Sequence, residues 1–287
     1  MKKILVLGKN SYIGKNIYRW LSQYPDRYDV SISATRDHAW QQADWEGLDA
    51  VVDCAGVAHI NHITEDMRGL FYGVNRDLTI EIARYAKDHG VRQFILFSSM
   101  NVYGDYCEHI TDLADVHPTS FYGDSKLQGD LGVQALADET FTVALVRPPF
   151  VYGKGCSGNY NTIARIAKIT PIFPTYRNRK SMIYIDNLCE FIRLLAESGD
   201  GGVYAPQNKE LVSTADLVRA ISRATGHRVW FTGLFNWMIP IGNKITRMVR
   251  RGFADDCYDM GLSEYWSQKY CVVGFVKSIQ ETCERTR

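Results

Sequence analysis

The 287-residue chain has no apolar run long enough to span a membrane as a helix. Its first apolar run, Ile4-Leu5-Val6-Leu7, follows two lysines but stops after four residues at Gly8 and Lys9, so it reads as a strand and not a signal peptide. A cytoplasmic protein is the resulting expectation. Charge is nearly balanced at +1, and no block of like charges occurs, which argues against a nucleic-acid surface. The seven cysteines are odd in number and lack a C-x-x-C spacing, so reduced and mostly buried thiols are expected. No metal site is expected either, because His59 and His62 lack a supporting cysteine or acidic cluster. What remains is an ordinary globular composition, 46% hydrophobic and 23% charged, on a chain long enough for one large domain or two unequal ones.

Apolar runs of strand length alternate with helical patterns through the first half. Residues 4–7, 30–34, 50–53, 94–98 and 142–146 read as strands, and 13–21, 75–87 and 121–136 as helices. Such alternation predicts an α/β fold, a Rossmann-type doubly wound parallel sheet. After Arg147-Pro148-Pro149 the chain turns rich in Gly, Asn and Pro, and Ser213-x-x-Asp216 has the form of a capping box opening a helix. The expected organisation is a dinucleotide-binding domain over 1–150 and a smaller, mainly substrate-binding part over 151–287, with residues around 181–198 returning to the core.

Gly8-Lys9-Asn10-Ser11-Tyr12-Ile13-Gly14 joins the first strand to the first helix. A turn this tight brings backbone N–H groups and a helix N-terminus to a pyrophosphate. Ser11 stands where the G-x-x-G-x-x-G pattern has its middle glycine, and its hydroxyl can itself donate to phosphate. The acid that commonly ends the second strand and binds a ribose 2′-OH is replaced by Ala34, followed by Thr35 and Arg36. Arginine suits a 2′-phosphate, so NADP(H) is favoured; an inward-turned Asp37 would restore NAD(H).

Three Tyr-x-x-x-Lys pairs occur: Tyr122/Lys126, Tyr176/Lys180 and Tyr265/Lys269. Chance supplies about one such pair, so spacing cannot choose among them. Context selects the first, which follows a strand ending in Ser98-Ser99. On one helix face, the lysine ammonium is expected to lower the phenol's pKa, with Ser99 hydrogen-bonding the same reacting oxygen.

Taken with Asp53-Cys54-Ala55-Gly56, Val74-Asn75-Arg76-Asp77, Ser98–Gly104, Arg147–Gly153 and Ser181–Leu188, these motifs resemble an extended short-chain dehydrogenase/reductase. More narrowly, they resemble the NAD-dependent epimerase/dehydratase group acting on nucleotide sugars. The resemblance implies Ser99, Tyr122 and Lys126 as catalytic residues, with Cys54, Ala55, Gly56 and Pro149 lining the cofactor. It implies Asn101, Asn159 and either Arg179 or Lys180 as contacts of a UDP-linked sugar, and a homodimer. Dehydratases of the group carry Asp-Glu after the Ser/Thr; Met100-Asn101 stands there instead, which argues against water elimination. A 4-epimerase and a 4-keto reductase remain, with a non-catalytic dinucleotide sensor as the alternative of another class. The late segment with Trp230, Phe231, Leu234, Phe235, Trp237, Met238 and Ile239, then Lys244, Arg247, Arg250 and Arg251, suits a substrate-domain core or lid, or a membrane-surface helix that Pro240 would interrupt.

Overall fold

A computed structural model describes residues 1–57 and 64–284, so His59 and His62 lie outside the described residues. In chain order the first elements are β1 (Lys2–Leu7), α1 (Tyr12–Leu21), β2 (Tyr28–Ser33), β3 (Ala50–Asp53), α2 (Arg68–Tyr72), α3 (Thr79–Asp88), β4 (Gln93–Phe97), β5 (Glu108–Ile110), α4 (Phe121–Gln134) and β6 (Thr142–Val146). Next come β7 (Phe150–Tyr152), α5 (Asn159–Ile169), β8 (Ile172–Pro174), β9 (Met182–Tyr184), α6 (Ile185–Ser198) and β10 (Gly202–Tyr204). The last are α7 (Thr214–Ala224), β11 (Trp230–Thr232), α8 (Met238–Ile245), α9 (Arg247–Phe253), β12 (Asp256–Tyr258) and α10 (Phe275–Cys283).

Six strands form one parallel sheet in the order β10-β6-β4-β3-β1-β2. Its central strands are apolar on both faces, as burial on both sides of a parallel sheet requires. Leu5, Leu7, Val51, Phe94, Leu96 and Leu145 alternate onto one face and pack with Ile82, Ala83 and Ala86 of α3 and Val133 of α4. Strand order reverses at β1, which has β2 on one side and β3 on the other. The crevice at the carboxyl ends of such a pair is where open α/β sheets take their ligands. The helix expected over 75–87 is present and starts earlier: α2, a π-helical turn over Gly73–Leu78 and α3 follow one another without a break from Arg68 to Asp88.

Two compact units result. The first comprises Met1–Asp105, Leu113–Pro148 and Leu188–Pro206 and contains the six-stranded sheet. In it Trp20 of α1 donates to Glu190 of α6 at 3.0 Å. The second comprises Tyr106–Asp112, Pro149–Asn187 and Gln207–Arg287. It is built on three short parallel pairs, β7 with β9, β8 with β11 and β5 with β12. Ser213 caps α7 there, accepting from the Asp216 amide at 3.0 Å and donating to the Asp216 carboxylate at 2.6 Å.

Candidate active site

In the first unit the turn after β1 has the tight geometry its glycines allow. Gly8 sits at φ +115°, a region that favours glycine, while the Gly8 and Lys9 amides both donate to the Ser33 carbonyl at 2.9 and 3.0 Å. A methyl on Gly14 would lie 2.6 Å from the Gly8 carbonyl oxygen, so only glycine lets α1 start this close to β1. Ser11 oxygen accepts from the Gly14 amide at 2.8 Å and caps α1. That is a helix-capping task the sequence did not suggest for it. Asn10 lies in the turn, and Tyr12 and Ile13 open α1, whose N-terminus is the end that attracts anions. Thr35 and Arg36 enter a 3₁₀ turn after β2, and Arg36 and Asp37 are both exposed.

Ser99 caps the 3₁₀ turn Met100–Tyr103, accepting from the Asn101 amide at 3.2 Å and donating to the Asn101 side-chain oxygen at 3.0 Å. Asn101 donates onward to Asp105 at 3.0 Å. Helix α4 meets this turn backbone to backbone: a methyl on Gly123 would stand 2.3 Å from the Asn101 carbonyl oxygen. This contact sets Tyr122 beside Ser99. Burial pushes the Tyr122 phenol above the ordinary tyrosine value, its hydrogen bond with Ser99 pulls it down, and the Asp130 carboxylate adds to the rise.

Lys126, one turn further on, is buried, and its ammonium donates to the carbonyls of Phe97 at 2.9 Å and Ala55 at 3.4 Å. Burial pulls its pKa down against the attraction of Asp53 and Asp130. Gly56 makes room for it, since a methyl there would come within 2.8 Å of Nζ. The i, i+4 spacing predicts that this ammonium brings the phenol down. In the structure it is turned onto main-chain carbonyls, burial dominates, and the phenol stays high.

Several buried polar residues support the site; Asn75 and Asp53 lie in motifs the sequence singles out, though without a task, and Asp130 carries no such mark. Asn75, in the π-helical turn, accepts from the Val57 amide at 2.9 Å and donates to Ser125 of α4 at 3.0 Å. Asp130, one turn beyond Lys126, accepts from Ser98 at 2.9 Å and from Arg147 at 3.0 Å. Asp53 at the end of β3 is fully buried and accepts from the Ala55 amide at 2.9 Å. Burial pushes its carboxyl up to about 6 against that hydrogen bond and the pull of Lys126. Next to it, burial also raises the Cys54 thiol.

A folded-state value above the unfolded one means that Asp53 favours the native state most at low pH, an advantage lost as pH rises through about 6. Between about pH 5 and 7.5 that loss amounts to roughly 1.4 kcal/mol. Asp53→Asn should remove it. Urea denaturation at the two pH values should show the variant gaining on the wild type by about that amount as pH rises, and equal pH dependence of the two proteins would refute the assignment.

The second unit holds the remaining candidates. Pro149 is buried at its start, and Asn159 opens α5 in an exposed position after Gly158 at φ +90°. Arg179 donates to Asp255, through its amide at 2.8 Å and its guanidinium at 3.0 Å. Burial lowers the Lys180 pKa, opposed by Asp256 and Asp255. Neither of the other Tyr-x-x-x-Lys pairs lies on an α-helix. Tyr176 packs edge-on to Phe253, and Tyr265 contacts Trp266 in a 3₁₀ turn.

A parallel sheet with a glycine turn at its switch point and a Tyr122–Lys126 helix beside Ser99 defines a Rossmann-type protein of the extended short-chain dehydrogenase/reductase class. The profile of the NAD dependent epimerase/dehydratase family matches residues 4–205, and the chain belongs to that family. It is 28% identical over 271 residues to a UDP-glucose 4-epimerase of Vibrio cholerae, covering 85% of this chain and 82% of that protein. Its fold is shared with UDP-glucuronic acid 4-epimerase from Bacillus cereus in complex with NAD, at a TM-score of 0.74 and 16% identity over 97% of this chain and 96% of the other. It is shared too with dTDP-4-dehydrorhamnose reductase from Bacillus anthracis str. Ames in complex with NADP, at 0.68 and 22% identity over 81% and 84%.

Proposed function

We propose that this chain is an NAD(P)-dependent enzyme that exchanges hydride and a proton at the 4-carbinol of a nucleotide-activated sugar, and that it is a UDP-sugar 4-epimerase. The observation that carries the reading is the seating of Tyr122 against the Ser99 turn with Lys126 one turn along, in the unit that holds the Gly8–Gly14 turn. The residues fit a dinucleotide. The close approach at Gly8 and Gly14 and the N-terminus of α1 suit its pyrophosphate, while Cys54, Ala55 and Gly56 follow the adjacent strand. A bound nicotinamide supplies the hydride acceptor and donor.

Ser99 hydrogen-bonds the reacting sugar oxygen and orients it. Tyr122 exchanges a proton with that oxygen. Lys126 has three N–H groups; two point at carbonyls and the third is left for a cofactor ribose hydroxyl. In the second unit, Asn159 with Arg179 or Lys180 serves the sugar and its diphosphate. The Vibrio relative, matched along most of its length, favours the epimerase.

A second reading, a 4-keto reductase using NADPH, is favoured by Ala34 and the exposed Arg36 at the end of β2. Both readings place the enzyme on UDP-linked or similar activated sugars, as a homodimer in the cytoplasm. Extraction of the purified protein decides between them. Tightly bound NAD and interconversion of UDP-sugars establish the epimerase. An empty site that consumes NADPH with a 4-keto sugar establishes the reductase. Dinucleotide binding without either turnover returns the chain to the sensor class.

A further inference from the structure

From Leu217 to Ala254 the chain contains no Asp or Glu, yet Lys244, Arg247, Arg250 and Arg251 fall within its last turns. In the second unit this stretch ends in a helical hairpin. Helices α8 and α9 approach closely because Gly242 has no side chain; a methyl there would meet Val249 at 3.0 Å. Thr246 caps α9 by accepting from the Val249 amide at 3.3 Å. Pro240 does not interrupt the segment. It sits in the first turn of α8, where no amide hydrogen is needed.

The hairpin buries Ile239 but not its other large apolar residues. Trp237, Ile241 and Ile245 recur every four residues and form one stripe, with Lys244 at its border. Trp237 is 68% exposed, Ile245 74% and Met248 82%, and Trp230 of neighbouring β11 is 71% exposed. These values do not suit the core the sequence suggested. A set of tryptophans and aliphatics this exposed marks an interaction surface.

We propose that the α8–α9 hairpin docks on an anionic phospholipid bilayer, lying in its surface. Among the described residues no helix is long and apolar enough to cross a membrane, so the contact is peripheral. The charge pattern selects the occupant. A stretch of chain without acids that carries Lys244, Arg247, Arg250 and Arg251 alongside an exposed stripe of Trp237, Ile241 and Ile245 matches negatively charged headgroups over an acyl layer. Long basic side chains keep their charged ends at the headgroups while the stripe enters below them. This inference stands apart from the sugar chemistry proposed above.

The test is flotation of the full chain with vesicles of phosphatidylcholine containing about a quarter phosphatidylglycerol, and with phosphatidylcholine alone, at low and high salt. Expected is about tenfold more floating protein with the anionic vesicles at low salt, and a marked loss at high salt. A Trp237→Ser/Ile245→Ser variant and a separate Lys244→Glu/Arg251→Glu variant should each lose about tenfold in flotation while dinucleotide binding is retained. The dinucleotide readout separates loss of docking from failure to fold. Absence of flotation with anionic vesicles at low salt overturns the proposal. So does unchanged flotation of both variants, or light scattering in which the variants break an oligomer without affecting flotation, since a second copy would then cover the stripe.

Discussion

Replacing Tyr122 by Phe is expected to lower turnover about a thousandfold, a loss within the usual worth of a positioned proton-transfer group. Dinucleotide affinity should stay within about threefold, because the ring and its edge contact with Phe71 at 6.2 Å remain. If the variant kept more than about a tenth of the rate, less than one 1.4 kcal/mol step of barrier would ride on the hydroxyl, and the role would be wrong. The raised phenol adds a signature in pH. Its acid form persists through neutral pH, so the half-reaction that reduces a keto sugar should be flat there. The half-reaction that oxidises the sugar needs the phenolate, whose population rises tenfold per pH unit below the pKa. Single-turnover rates from about pH 6 to 8 should therefore climb in the oxidising direction alone.

The second large effect is expected from the buried ion pair behind the site. Asp130 and Arg147 have side chains only 1% and 5% exposed and meet at 3.0 Å. Arg147 also donates to the Tyr103 hydroxyl at 2.8 Å and the Leu113 carbonyl at 2.9 Å. Burial works against its charge, but Asp130 and Tyr103 more than restore it. Asp130→Ala leaves that cation without its counter-ion, which typically costs about 3–5 kcal/mol. Replacing both residues, Asp130→Leu with Arg147→Met, should cost less than the single change, because no charge is then stranded. Urea denaturation of the three proteins is the measurement, and a single-variant loss below about 1 kcal/mol would show that water reaches the pair.

What the chain revealed before folding, and what it hid, divides along physical lines. Strands such as Thr142–Val146 and Ala50–Asp53 were readable to the residue because short apolar runs between turns have few other uses. The Ser213 cap was readable because capping is local, three residues from donor to acceptor. Tyr122 and Lys126 could be chosen from three equal spacings only by the strand and serine before them. Asn75 and Arg147 stood inside recognisable motifs but without a task, and Asp130 gave no signal at all, since a polar residue on a helix or after a strand reads as a solvent-facing one. Their burial depends on partners far along the chain, as Asn75 depends on Ser125, 50 residues away. The direction of Lys126 was hidden for the same reason: the carbonyls it meets belong to Phe97 and Ala55, and no pattern in side chains announces a main-chain acceptor.

Helix α4 contains glycine at 123, 129 and 132. Two of these press on backbone oxygens, Gly123 on Asn101 and Gly129 on Asn75, where a methyl would come within 2.3 Å. Each glycine weakens an isolated helix by about 1 kcal/mol relative to alanine. The segment that carries Tyr122 and Lys126 is thus a poor helix by itself and becomes one by docking. Its order is borrowed from the turns it rests on. The spacing of Tyr122 and Lys126 on one face therefore exists only once α4 has docked on the Asn101 and Asn75 turns, so whatever loosens those turns also unmakes the pair.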